Sequence, residues 1–180
     1  MILVNNKSNA RFNVRIKLAA IIVACTAALT SCGIYSFRDV SVPDNVKTIK
    51  IGYFDNRAGI QNPQLSPKLT DAFKQKVQSY VRKASLVNTE TADYIIGGYI
   101  SQYSVTTSGI SNQQTSSNRL TVGVHIIFNN TLKNETKEFD VSLPFDFSAT
   151  LTLTQAENQL LDNIIKNLSD EMFNRIFSSW

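Results

Sequence analysis

The chain has 180 residues, 43% of them hydrophobic, and its 18 Lys plus Arg exceed its 14 Asp plus Glu to give a net charge of +4. Four of the basic residues, Lys7, Arg11, Arg15 and Lys17, precede Cys32 and no acidic residue does, so the chain from Cys32 onward holds 14 of each sign. A neutral domain lacks the basic footprint of a nucleic-acid binder, so no nucleic acid is expected as a partner.

The twelve residues Leu18–Leu29 (LAAIIVACTAAL) carry no charge. A basic segment followed by an apolar run of about 7–15 residues is the layout of a secretory signal peptide. The run is too short for a membrane span, which needs about 20 apolar residues. It also has no amphipathic period of the kind a buried surface helix shows. At its end, Leu29-Thr30-Ser31-Cys32 resembles the bacterial lipobox. The resemblance implies cleavage between Ser31 and Cys32, removal of residues 1–31, and acylation of Cys32. Its sulfur takes a diacylglyceryl thioether, and the freed amine takes a further acyl chain such as palmitate. More than one chain is needed because a single one binds a membrane only marginally. The bland alternative makes Cys32 an incidental small residue at an ordinary cleavage site, and leaves the match at Leu29 to Ser31 unexplained. By resemblance to bacterial sorting rules, Gly33 permits passage to the outer membrane where an Asp would retain the protein. Ile34 to Phe37 add no acidic export cluster, so the periplasmic leaflet is the expected location. The other cysteine, Cys25, lies in the leader, so no disulfide is expected in the mature chain although the compartment allows one.

Roughly 150 residues remain, the size of one domain. Residues 32–45 read as a lipidated tether and 46–180 as a single folded domain. Pro43-Asp44-Asn45 is turn chemistry. Lys47–Phe54 alternates, with Ile49, Ile51 and Tyr53 on one face, as a half-buried strand does. Ser66-Pro67 reads as N-cap and first helical residue. Leu69, Phe73, Val77, Tyr80 and Val81 then form one helical stripe. Ala92–Thr106 reads as a strand, Ser108–Ser117 as a polar hairpin tip, and Asn118–Asn130 as the returning strand.

From Phe139 to Leu153 every odd position is apolar and the even positions are Asp, Ser, Pro or Thr. Strict period two means one buried face and one facing water or a partner. Pro144 cannot donate to a ladder, which favours an edge strand or a bulge. Thr154-Gln155-Ala156-Glu157 matches a capping box. The last helix carries Leu160, Leu161, Ile164, Ile165, Leu168, Met172, Ile176 and Trp180. One-faced strands and two amphipathic helices pack in one obvious way. The expected fold is α+β, a two-layer sandwich of a four-stranded sheet with two helices on one face, in the order β-α-β-β-β-α.

CGIYSF, then VPDNVKTIKIGYFDNRAGIQNPQLSPKLTDAFKQKV, then NRLTVGVHIIFNN and the closing FNRIFSSW resemble the Bacteroidetes branch of the LPS-assembly lipoprotein family, LptE. The match covers essentially the whole mature chain. Its most distinctive stretch is Phe54-Asp55-Asn56-Arg57-Ala58 with Asn62-Pro63 and Leu65-Ser66. The resemblance implies a partner: an outer-membrane β-barrel LPS translocon of the LptD type, whose lumen such lipoproteins plug. It also implies help with barrel assembly and LPS insertion into the outer leaflet, with LPS itself a possible ligand.

Residues for enzymatic chemistry are sparse. His125 is the single histidine and sits in an alternating strand, so a surface or partner-facing position is expected. Asp55 and Asp71 are too loosely spaced to propose a carboxylate pair. No metal-ligand spacing occurs, and Gly97-Gly98 lies inside a strand, where it marks a bulge or a close backbone approach. No catalytic residue, cofactor or metal is therefore expected. The sequons at Asn129 and Asn134 carry no weight in a bacterial lipoprotein.

Two surfaces stand out. Lys68, Lys74, Lys76, Arg82 and Lys83 oppose only Asp71 on the first helix and suit phosphate, though a solvated helix face shows the same pattern. Residues 101–118 are rich in Ser, Thr, Asn and Gln, and are expected to reach into a barrel lumen or to remain a solvated loop. Arg119 is a single basic residue near that tip and is not assigned a ligand. A different class of function, regulation of an envelope enzyme such as a peptidoglycan synthase, is the alternative. It usually needs a long tether, and about a dozen residues reach only about 40 Å. A free lipid carrier would want a large apolar cavity, which the polar even face of 140–152 does not support.

Overall fold

The computed structural model describes residues 42–111 and 114–178. Ser31, Cys32 and Trp180 lie outside the described residues. Seven elements follow in order: β1 (Thr48–Asn56), α1 (Leu65–Tyr80), β2 (Ser85–Leu86), β3 (Tyr94–Ser111), β4 (Gln114–Asn130), β5 (Glu135–Ser148) and α2 (Leu153–Phe177). The strands form one sheet in the order β2-β1-β3-β4-β5. β1 runs parallel to β2 and β3, and the other neighbours are antiparallel. Both helices lie on one face: α1 on β1, α2 on β4 and β5, and each on the other. The fold is the expected two-layer α+β.

The sheet has five strands where four were expected. The fifth, β2, is two residues long and pairs Ser85 with Thr48 and Leu86 with Ile49. It is held by Ser85 N–H to the Lys47 carbonyl at 2.8 Å and Val87 N–H to that of Ile49 at 2.9 Å. Two residues cannot show a period, so the neighbour's ladder alone makes this strand.

Ile49 and Ile51 are buried as expected, but Tyr53 is 54% exposed and Phe54 fully buried. The β1–β3 register shifts between Ile51 and Phe54. A bulge inserts one residue and so exchanges the faces of everything after it. Phe54 then meets Phe73 of α1 edge-on at 5.8 Å. Its N–H donates to Thr70 Oγ1 at 3.2 Å.

α1 begins two residues earlier than expected, with Gln64 in place of Ser66 as an N-cap that makes no side-chain bond. Asn62 closes the end instead. Its carbonyl accepts the Leu65 N–H at 3.2 Å and its Oδ1 the Gln64 N–H at 2.9 Å. Ser66 is therefore inside the helix, 6% exposed, and Pro67 sits in the first turn, where a missing N–H costs nothing. Leu69, Phe73, Val77 and Val81 are buried, while Tyr80 is 48% exposed and leans on Phe173 at 5.4 Å.

β3 and β4 extend further than expected. Their pairing continues through Ile110–Thr115 to Ser111–Gln114, so most of the segment read as a hairpin tip is ladder. Conversely β5 ends at Ser148 instead of running on to Leu153. The Leu151 N–H then closes a turn on the Ser148 carbonyl at 3.1 Å. The capping box of α2 is Thr152 with Gln155, two residues before the expected pair. Glu157 is occupied elsewhere: it accepts the hydroxyl of buried Tyr103 at 2.6 Å. Burial, and then that carboxylate, push the Tyr103 phenol well above its usual range.

Asp93, just before β3, locks the sheet's start. Its Oδ2 accepts the N–H groups of Lys47 at 2.7 Å and Thr48 at 2.9 Å, and Thr48 Oγ1 accepts the Asp93 N–H. Those backbone bonds hold its carboxyl below the usual carboxylate range. The stability it supplies is therefore present above about pH 4 and is lost as the pH falls through its lowered pKa. Asp93→Ala is expected to cost about 1 kcal/mol, since only the part-buried Thr48 donor is denied water. Denaturant midpoints at pH 7 and pH 3 check this, the difference between wild type and variant shrinking in acid.

Candidate functional site

The helices cover one sheet face and leave the other open. Across it Asp55, Tyr99, His125 and Asp140 form one row over β1, β3, β4 and β5. The Arg57 guanidinium lies 4.2 Å over the Tyr99 ring, and that ring is 5.1 Å from the His125 imidazole. His125 Nδ1 is 2.9 Å from Asp140 and Nε2 is 3.4 Å from Glu138. The histidine is thus held across the strands by β5 carboxylates, on the face expected for it. Asp55 is on this row while Asp71 is on α1, so the fold does not unite them. Among the described residues no group of His, Cys, Asp and Glu is arranged to hold a metal ion.

Further along, Arg119 holds Asp146 through two bonds of 2.7 and 3.0 Å. The guanidinium lowers the Asp146 pKa and the carboxylate raises that of Arg119. Arg119 is therefore one half of a cross-strand pair. Gln102 and Ser142 meet at 3.3 Å between these rows. Pro144 sits in β5, which is indeed an edge strand. The even positions from Asp140 to Thr152 are all exposed. Beyond the last β4–β5 pair, Ser117 with Ser148, the β3–β4 hairpin continues alone as an arm. Ser108 and Ser117 bond across it at 3.0 Å.

The basic residues expected on the first helix do not form one free surface, and since α1 ends at Tyr80, Arg82 and Lys83 lie beyond it. Lys76 pairs with Asp170 of α2 at 2.5 Å and Lys83 with Asp44 at 2.6 Å. Lys76 also lies 5.0 Å over Tyr80 and 5.5 Å over Phe173, pinning the two helices together. Lys68 and Arg82 are exposed and Lys74 is half-buried.

One feature escaped sequence reasoning. Where β1 hands over to α1, an open notch of about 350 Å³ is lined by Tyr53, Asn56, Gln61, Asn62, Pro63 and Ser66. The stretch had stood out as a family signature, but nothing in it marked a cavity. Asn56 Oδ1 accepts the Ala58 N–H at 3.0 Å, and Gln61 Nε2 reaches the Asn56 carbonyl at 3.5 Å. Asn56 Nδ2 and Ser66 Oγ are both buried with no hydrogen-bond partner.

No helix among the described residues is long and apolar enough to cross a membrane. Solved structures share the fold. A lipoprotein B from Nitrosomonas europaea is 14% identical, with 78% of this chain and 86% of that one covered at a TM-score of 0.51. A minor lipoprotein from Acinetobacter baumannii is 16% identical, covering 74% and 94% at 0.50. A hypothetical protein from Chlamydia trachomatis is 10% identical, covering 73% and 96% at 0.50. Comparison with curated proteins finds no significant match. The model of the LptE family, described as Lipopolysaccharide-assembly, matches residues 46–176, the whole folded domain from before β1 nearly to the end of α2. The chain therefore belongs to the LptE family of lipopolysaccharide-assembly proteins.

Proposed function

We propose that this protein is an outer-membrane lipoprotein, anchored on the periplasmic side through Cys32, that partners an LptD-like β-barrel, fills part of its lumen, and assists barrel assembly and LPS insertion into the outer leaflet. The observation that carries the reading is the open sheet face. On it Arg119 is paired with Asp146, and His125 sits between Asp140 and Glu138. Hydroxyls and amides fill much of the space between. Such a surface suits a polar wall, and a barrel interior is polar. Val42 is buried in the core, so the chain from Cys32 to Val42 reaches at most about 35 Å. That keeps the domain near the membrane, which favours a barrel over a partner in the cell wall.

The test is affinity purification of the tagged full-length protein from detergent-solubilised outer membranes, with mass spectrometry of its companions. A large β-barrel in near-equal amount is expected. A peptidoglycan synthase, or only bulk lipoproteins, overturns the reading. Removing Ser108–Ser117 shortens the arm without touching the described core and is expected to reduce barrel recovery at least tenfold. Undiminished recovery would show that the arm does not enter the lumen.

A further inference from the structure

We infer that one end of the domain, centred on the β4–β5 turn Thr131–Asn134, rests on a phospholipid surface, the one to which the chain is tied. Polar contacts gather the segments of that end. The Asp93 carboxylate accepts the N–H groups of Lys47 and Thr48, and the Asp93 carbonyl accepts the Thr131 N–H at 3.0 Å. Thr131 Oγ1 donates to the Ala92 carbonyl at 2.9 Å. Lys83, just past α1, pairs with Asp44 at 2.6 Å. The chain arriving from Cys32 therefore enters the fold beside this turn, through buried Val42 and Val46. β3 runs parallel to β1 and carries the arm to the opposite end. A tether of about 35 Å at most holds the turn, and not the arm, near the anchor.

The side chains gathered there suit the boundary between lipid and water. Among the described residues five large apolar side chains are exposed: Tyr80, Ile127 and Leu132 toward this end, Tyr53 and Ile60 toward the other. Leu132 is 47% exposed, on a turn that its neighbours close. Asn130 Oδ1 accepts the Lys133 N–H at 3.2 Å, and the Thr131 carbonyl accepts the Asn134 N–H at 3.4 Å. Turns ordinarily hold Asn, Asp, Gly or Ser, and nothing in this one calls for leucine. Lys47, Arg82 and Lys133 are exposed at the same end. Long cationic side chains lay their stems on apolar groups and keep their heads among phosphates, and tyrosine sits at headgroup level. Residues 101–118, at the opposite end, include no charged residue and no leucine. The two ends thus differ as a lipid surface differs from a polar lumen.

Which lipid surface this is rests on the lipoprotein reading, which makes it the periplasmic leaflet. The protein purified from outer membranes is reconstituted into phosphatidylethanolamine vesicles containing phosphatidylglycerol. Trp180 is the single tryptophan, so Trp180→Phe with Leu132→Trp puts one reporter on the turn. Trp180→Phe with Thr107→Trp puts one on the arm. Lipids brominated high on the acyl chain quench a tryptophan that touches them. Emission from residue 132 is expected to fall about twofold and that from residue 107 to stay unchanged. No quenching at residue 132, or equal quenching at both, overturns the inference. A further variant, Leu132→Gln, is expected to keep the wild-type melting temperature and barrel recovery, since the side chain is exposed. Tenfold loss of barrel recovery in that variant overturns the inference too, by assigning the turn to the barrel's rim. The intact mass of each sample reports acylation separately. Quenching at residue 132 without acyl chains keeps the lipid contact and removes the anchor, whereas an acylated protein with residue 132 in water does the reverse.

Discussion

Gly98→Ala lowers the stability of this domain by about 3 kcal/mol, and Gly98→Val by more, while Gly97→Ala next to it changes little. Gly98 has φ +149°, a conformation side chains rarely adopt. A Cβ there would stand 2.0 Å from the His125 carbonyl oxygen, 3.0 Å from its carbon and 3.1 Å from Ile126 Cα. All three are backbone atoms of β4, so no rotamer change relieves the clash. Either β3 and β4 separate or the glycine's neighbours move. Both damage the middle of the sheet, because Gly98 pairs with Phe54 on one side and Ile126 on the other, and both partners are fully buried. At Gly97 an added Cβ meets nothing within 4 Å. Urea or thermal midpoints of the two alanine variants measure the contrast directly. Equal midpoints would show that the strands can part there at no cost, and that the close approach is not what the glycine is for.

On the proposed lipoprotein reading, Cys32→Ala is expected to abolish acyl labelling of the protein and to deplete it from the outer-membrane fraction by at least tenfold. On the proposed reading Cys25 leaves with the leader and Cys32 is the thiol that takes the thioether, so without it neither the diacylglyceryl group nor the later amide-linked chain would be added. Each buried methylene contributes about 0.8 kcal/mol, so two or three chains outweigh any contact that a neutral polar surface makes with lipid. Among the described residues no helix replaces the anchor. Metabolic labelling with an alkynyl palmitate analogue, followed by fractionation, reads both effects. Label persisting in the variant places the lipid on another residue, and outer-membrane recovery persisting without label places the attachment on the barrel alone.

These experiments probe features of different origin. The layers of the fold were legible because their signals are periodic and local. The odd residues of Phe139–Phe147 and the stripe Leu69, Phe73, Val77 repeat along the chain itself, so which face turns inward needs no knowledge of the neighbour. The family signature was legible too, as were the open polar face of β5 and the edge position of Pro144.

What sequence alone left open depends on atoms distant along the chain. The two-residue β2 exists because Lys47 and Ile49 offer carbonyls to it. The bulge that turns Tyr53 outward and Phe54 inward is set by register against β3, and a count of period two cannot see it. Gly97 and Gly98 look alike as letters, yet only one has a backbone carbonyl 2.0 Å from where its Cβ would be. The capping box shifted to Thr152 and Gln155 while Glu157 bonds Tyr103, 54 residues away. Lys76, Lys83 and Arg119 were paired with Asp170, Asp44 and Asp146 by the folding of distant segments. Periodicity along the chain thus determined the layers, and contacts between distant segments decided register, helix caps and charge pairing, because those depend on atoms that meet only in the folded chain.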